Sequence, residues 1–220
     1  MEFVYHSQEG QDKFVSNVFF KDKFGGFFVD VGAHDGVSIN NTLHFERDKK
    51  WTGINFEPIK PVFDKLVESR PNCVNINKAV CETDGVENFV YNTGYTEMIS
   101  GLSKHYDPRH KNRCQNEIKY YGGNTTEVPI ETVRLETVFS NHNVSHVNYL
   151  SFDVDGAEFS VIKSINFEKV IIDVIGFENN YHDASVPIIN YLISKGYRMS
   201  SYKGLDIIMY RLESFPTGSY

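Results

Sequence analysis

The sequence predicts an α/β protein built on a mostly parallel sheet with helices on both faces. Two observations carry that expectation. In residues 27–36, FFVDVGAHDG, an apolar run gives way abruptly to small residues, as when a strand covered on both faces feeds a tight turn. After it, apolar runs bounded by turn residues alternate with stretches of helical periodicity, the pattern of successive strand–helix units with right-handed crossovers.

Taken in order, residues 12–20 (DKFVSNVFF) read as a short amphipathic helix within an N-terminal segment, 1–25. Residues 27–31 are the first strand, 41–50 a helix, and 51–56 (WTGINF) a second strand stopped by Glu57-Pro58. A helix over 61–69 has Val62, Phe63, Leu66 and Val67 on one face, and 73–80 (CVNINKAV) reads as a third strand. Thr83-Asp84-Gly85 is a turn before a short strand at 86–91. The pattern then breaks. Residues 92–126 are rich in Gly, Asn, Tyr, His and Lys with little apolar periodicity, and a loop of that length in a compact domain suggests a functional excursion, here a substrate-side lid. Order resumes with a strand at 127–133, a short helix at 135–139, a strand at 147–154, a helix at 157–165, a strand at 170–177 and a helix at 186–194. Residues 197–202 and 205–211 around Lys203-Gly204 close the chain as a hairpin.

Bulk properties narrow the function. A length of 220 residues suits one domain spanning 1–220. With 40% hydrophobic residues and a net charge of -7, the chain has no basic face for nucleic acid. It also has no 18-residue apolar run for membrane insertion. Residues 1–14 lack the layout of a signal peptide, so a cytoplasmic location is expected. Cys73, Cys81 and Cys114 are odd in number and lack CxxC spacing, which suits reduced thiols.

In open α/β sheets ligands bind beyond the carboxyl ends of the strands, where strand order reverses. Those ends carry Asp30 and Gly32, then Glu57, then Asp153 and Asp155, then Glu178 and Asn179. The glycine turn has neither GxGxxG spacing nor a phosphate-loop lysine, so a phosphate is not the expected guest. Glu57, 25 positions after Gly32, is placed to accept two hydrogen bonds from a ribose diol. Asp30 and Asp35 could instead stabilise the turn through their own backbone. Asp153-Val154-Asp155-Gly156-Ala157-Glu158 crowds three acids after an apolar strand. Glu158 would meet a helix N-terminus, leaving Asp153 and Asp155 as candidates for a general base or metal ligand. Glu178 and Asn179 would complete an oxygen-rich set with Asp153 for magnesium, which lowers the pKa of a bound hydroxyl. His182 is a candidate proton acceptor.

Six blocks in order resemble the FkbM-type methyltransferases, a family of class I enzymes dependent on S-adenosylmethionine (SAM). They are SQEGQDKF (7–14), FVDVGAHDG (28–36), Asn41-Thr42, WTGINFEP (51–58), NKAV (77–80) and LSFDVDGAE (150–158). The resemblance implies a Rossmann-like, doubly wound, seven-stranded sheet with an antiparallel C-terminal strand. It implies that the Gly32 turn takes the methionine part of SAM, Glu57 the ribose, and Asn77, Lys78 and Ala79 the adenine. The full cofactor set expected is Asp30, Gly32, Ala33, His34, Asp35, Asn41, Glu57, Asn77, Lys78, Ala79 and Asp153. Catalysis is expected of Asp153, Asp155 and His182, and magnesium ligation of Asp153, Glu178 and Asn179, the latter by the set's resemblance to the ligands of other class I O-methyltransferases. Two departures stand out: Asp155 replaces the family's more usual Glu, and His182 is further from Glu178 than the family's His is from its Glu. The expected reaction is O-methylation of a sugar or glycan hydroxyl, with Tyr95, His105, Tyr106 and Arg109 of the 92–126 segment contacting the acceptor. The competing readings are a metal-dependent glycosyltransferase using Asp153 and Asp155 as a DxD pair, and a non-catalytic SAM-binding module.

Overall fold

The computed structural model describes residues 3–216. Helix α1 (Gln11–Phe19) leads into strand β1 (Phe27–Val31), followed by α2 (Leu43–Arg47), β2 (Thr52–Phe56), α3 (Lys60–Ser69) and β3 (Val74–Ile76). Next come β4 (Ala79–Val80), β5 (Gly85–Asn92), β6 (Gly101–Leu102), α4 (Pro108–Tyr121) and β7 (Thr125–Val133). The chain then runs through α5 (Leu135–Asn141), β8 (His146–Phe152), α6 (Glu158–Lys163), β9 (Ile171–Phe177), α7 (His182–Ser194), β10 (Tyr197–Met199) and β11 (Ile207–Arg211).

The main sheet has seven strands in the order β10-β11-β9-β8-β1-β2-β3. β1 pairs in parallel with β2 and β8, and β8 with β9, while β11 runs antiparallel to β9 and β10. This is the expected doubly wound sheet. It follows from strands such as FVDV and YLSF, whose residues are buried on both faces and so demand helices on each side. One apolar cluster gathers Val29, Val31, Leu150, Ile175 and Phe177 with Val161 and Leu192 of the helices. The opposite face packs Phe28, Tyr149 and Val174 against α1 and Trp51.

Two expectations need correction. The strand read over 73–80 is two strands: β3 ends the main sheet, whereas β4 belongs to a second sheet ordered β4-β7-β5-β6. The break comes where Asn77 donates to the carbonyls of Glu57 and Pro58 at 2.8 and 2.9 Å, turning the chain away from the main sheet. The segment 92–126 is not a structureless loop, because it contains β6 and the 14-residue α4. Asp107 caps α4 by accepting the Arg109 amide, Pro108 occupies its first turn, and Gly122 follows it.

The second sheet is held by a long antiparallel pairing of β5 with β7, from Gly85 opposite Thr132 to Asn92 opposite Thr125. Its own cluster, Ala79, Phe89 and Leu102 with Ile59 and Val62 of α3, lies beside the carboxyl ends of β1 and β2. The sheet thus forms a wall over the switch point between β1 and β8. All three cysteines are free thiols.

Candidate active site

A cleft of about 150 Å³ opens at that switch point. At its floor the amides of Gly32 and Ala33 both donate to the Phe56 carbonyl, at 3.0 and 2.9 Å, and Asp153 N donates to Val31 O at 3.1 Å. These bonds draw the ends of β1, β2 and β8 together. Gly32 has φ +85°, and a Cβ there would lie 2.2 Å from the Asp153 carbonyl oxygen. Any side chain would force the two strand ends apart.

Of the expected cofactor residues, Asp30, Gly32, Ala33, His34, Asn41, Glu57, Lys78, Ala79 and Asp153 line this cleft. Asp35 and Asn77 do not. Asp35 accepts from the Val37 and Ser38 amides and the Ser38 hydroxyl, closing its own turn. Asn77 is consumed in anchoring the Glu57-Pro58 carbonyls. Asp30 is buried and accepts from Thr42 Oγ1 at 2.8 Å and Asn40 Nδ2 at 2.9 Å; burial raises its pKa against the nearby Arg70. Asn41 donates to Ser151 Oγ at 3.1 Å while its buried Oδ1 accepts no hydrogen bond, and the buried His34 Nδ1, 3.7 Å from Asp35 Oδ1, makes none either. Both are in residues that wall the cleft, and buried polar atoms ordinarily have partners.

Glu57 is 6% exposed. Its Oε1 accepts the Ile59 amide at 2.7 Å, yet burial lifts the carboxyl to about 7 against that bond. Across the cleft, Glu97 Oε1 lies 3.3 Å from His34 Nε2, tying the 3-10 turn Gly94–Ile99 to the Gly32 turn.

At the other end Asp153, Asp155 and Glu178 have carboxylate oxygens within 4.8 Å of one another. Asp153 is open to the cleft space while ringed by protein, so desolvation, then Glu178 and Asp155, push its carboxyl well above the usual range. Desolvation and the Asp155 charge likewise lift Glu178 to about 7. Asp155 sits in the left-handed region, φ 51°. Its Oδ1 is 3.0 Å from His110 Nε2, a residue of α4.

Several expected groups stand elsewhere. Asn179 Oδ1 accepts from Ser185 Oγ at 2.6 Å, and Asn179 lines neither this cleft nor the neighbouring cavity. His182 is the exposed first residue of α7 and lines neither this cleft nor the neighbouring cavity. Tyr95 is exposed and stacks on Tyr121 at 4.3 Å; Tyr106 donates to the Ile99 carbonyl at 2.6 Å. Arg109 pairs with Asp107 and Asp183 and lies 3.9 Å over the Tyr181 ring. His105 lines the smaller neighbouring cavity. The sequence reading missed Gln8, Gln11 and Asp206, which also line the cleft; Gln11 Nε2 donates to Asp206 Oδ2 at 2.8 Å. Gln8 and Gln11 lie in the SQEGQDKF block, whose role the sequence left open.

The sequence profile of the methyltransferase FkbM domain matches residues 30–199. The chain belongs to the FkbM methyltransferase family. Among solved structures, a methyltransferase FkbM from Methylobacillus flagellatus KT aligns over 89% of this chain and 47% of its own, with a TM-score of 0.50 and 12% identity. This FkbM chain therefore spans about half the length of that relative. Fibrillarin from Aeropyrum pernix, solved with natively bound S-adenosyl-L-methionine, aligns over 93% of this chain and 74% of its own, at a TM-score of 0.52 and 13% identity. At such identities the likeness is one of fold. No protein of curated function matches the FkbM chain in sequence. The family supports neither the glycosyltransferase reading nor the non-catalytic one.

Proposed function

We propose that this FkbM chain is a SAM-dependent O-methyltransferase acting on a hydroxyl of a sugar, in a glycan or a glycosylated small molecule in the cytoplasm. The observation that carries the reading is one cleft holding Glu57 at one end and Asp153 at the other, with the Gly32 turn between them.

The residues present fit the cofactor. Glu57 would hold the ribose diol, the Gly32 turn and Asn41 Oδ1 the methionine part, and Ile59, Ala79, Phe89 and Leu102 offer an apolar wall for adenine. No phosphate-binding lysine is needed, because SAM carries no phosphate. When bound, SAM supplies an electrophilic methyl group on a sulfonium. Asp153, at the carboxyl end of β8 and facing the cleft, is placed to take the proton from an acceptor hydroxyl, and desolvation and the neighbouring acids raise its carboxyl above the usual carboxylate range, making it a stronger base. The acids also disfavour polyanionic acceptors such as nucleic acid. Magnesium on Asp153, Asp155 and Glu178, a set within 4.8 Å, is a second route to the same deprotonation; activity that survives chelation assigns the task to the carboxylate alone.

The test is radiolabelled methyl transfer onto a panel of sugars, paired with calorimetric titration of S-adenosylhomocysteine. Asp153→Asn should lose transfer and keep product affinity. Glu57→Ala should weaken that affinity more than tenfold, about 1.4 kcal/mol or more. Unchanged affinity in Glu57→Ala, or tighter binding of a nucleotide sugar than of SAM, would sink the reading.

A further inference from the structure

A second cavity, of about 100 Å³, lies on the far side of Asp155 and Glu178, which wall both spaces. Its remaining walls come from Gly156 and Glu158 at the start of α6, from the approach to α4, from α4 itself and from the first turns of α7. Cofactor binding as described above uses none of this space.

The lining is rich in acceptors. Besides Asp155 and Glu178 it includes Asp107 and Glu158. Asp107 is paired with Arg109, and Glu158 Oε1 accepts the Gly156 amide at 3.0 Å. Two imidazoles face the same cavity with unmet needs. His110 is 1% exposed, and although its Nε2 is 3.0 Å from Asp155 Oδ1, the two are too poorly aligned for a hydrogen bond. The contact is electrostatic, and the nitrogen has no aligned partner. His105 Nε2 is also buried and unpartnered. Such atoms in a polar cavity call for a ligand that can both donate and accept.

We propose that this second cavity is the acceptor pocket and that it takes one donor-rich, non-anionic group, a single neutral or amine-bearing sugar ring. The proposal rests on the methyl-transfer reading and adds to it where the acceptor sits and which charge it carries. Hydroxyls or an ammonium group can donate to the carboxylates, and hydroxyls can also satisfy His105 and His110. A carboxylated or phosphorylated ring would bring a further anion beside four acidic side chains, three of which, Asp155, Glu158 and Glu178, already have their carboxyls raised by burial and find it costly to hold charge. At about 100 Å³ against about 150 Å³ the cavity is smaller than the cleft beside it, which suits one ring rather than a run of several. The shared wall of Asp155 and Glu178 sets that ring beyond the carboxyl ends of β8 and β9, and both acids have carboxylate oxygens within 4.8 Å of one on Asp153.

Saturation-transfer NMR on the full chain, saturated with S-adenosylhomocysteine, tests this with methyl glucoside, glucosamine, glucuronate and glucose phosphate as probes. The first two should show transfer and the two anions little. Ala184→Trp, which fills the cavity from the first turn of α7, should abolish the transfer and leave product affinity within twofold; Ala184→Phe serves if the tryptophan variant melts early. The proposal is overturned by anions that bind as well as the neutral ring, by transfer that survives the filled cavity, or by no transfer from either non-anionic probe. A separate titration in which the product itself fails to bind would instead bring down the cofactor reading, and this one with it.

Discussion

Glu57 shows how a residue suited to a ligand burdens the empty protein. Its carboxyl is buried and lifted to about 7, and that of Asp206, half-buried beside Gln11 and Glu9, to about 6. Folding therefore raises both above their unfolded values, so they bind more protons folded than unfolded. Their contribution to stability is complete below about pH 4.5 and is lost as pH rises through 6 to 7. Thermal melts of the ligand-free protein should accordingly fall between pH 5 and 8. Glu57→Gln, neutral at every pH, should melt higher than the parent at pH 8, by on the order of 1–3 kcal/mol, and show a flatter profile. Melts that rise across this window, or a variant no more stable at pH 8, would contradict the burial of an ionisable Glu57. The same residue was legible in the sequence because a strand, a stop and an acid follow the glycine turn at a set distance. Asp35 and Asn77 shared that legibility as motif letters, but a short polar side chain can as easily bond backbone: Asp35 accepts from the amides of its own turn, and Asn77 donates to the Glu57 and Pro58 carbonyls.

At the scale of elements, α4 decides what the 92–126 segment does. Asp107-Pro108 and Gly122 are start and stop signals visible in the sequence. The helix between them escaped notice because its buried residues are His110 and Cys114 rather than an apolar stripe, so hydrophobic periodicity had nothing to report. The packing is tight: a Cβ on Gly156, φ +106°, would lie 2.4 Å from the His105 carbonyl oxygen, and one on Gly101 would lie 3.3 Å from Asp155. The segment is thus docked on the acidic loop. Gly156→Ala should lift the approach to α4 off that loop, costing about 1–3 kcal/mol. Limited proteolysis should then cut within residues 92–126 while the main sheet stays protected. A variant as resistant as the parent would mean that the contact does not hold α4 in place.

For the whole molecule, the seven-stranded sheet was legible because each of its strands is a local signal in a doubly wound pattern. The second sheet was not, because its membership is settled by non-local pairing: β4 reaches β7 across some fifty residues, and β4 and β6 are two residues each. That hidden sheet supplies one wall of the cleft, through Ala79, Val80, Phe89 and Leu102 with Glu97 and Met98 from the turn before β6, and the main sheet supplies the other. A ligand in the cleft must therefore touch both sheets at once and stabilise them together. Hydrogen exchange should register this. With S-adenosylhomocysteine at 100 times its Kd, a gain of about 2.7 kcal/mol in global stability is expected. Protection should rise at the Gly32 turn and at Glu57, at the ends of β1 and β2, and, in the same titration, at residues 97–102, which lead into and form β6 of the second sheet. The far end of β5, Gly85 to Glu87, lines no part of the cleft and should follow the global gain only. Protection confined to the main sheet would mean that the second sheet is a bystander, and that the His34–Glu97 contact spans the cleft without closing it.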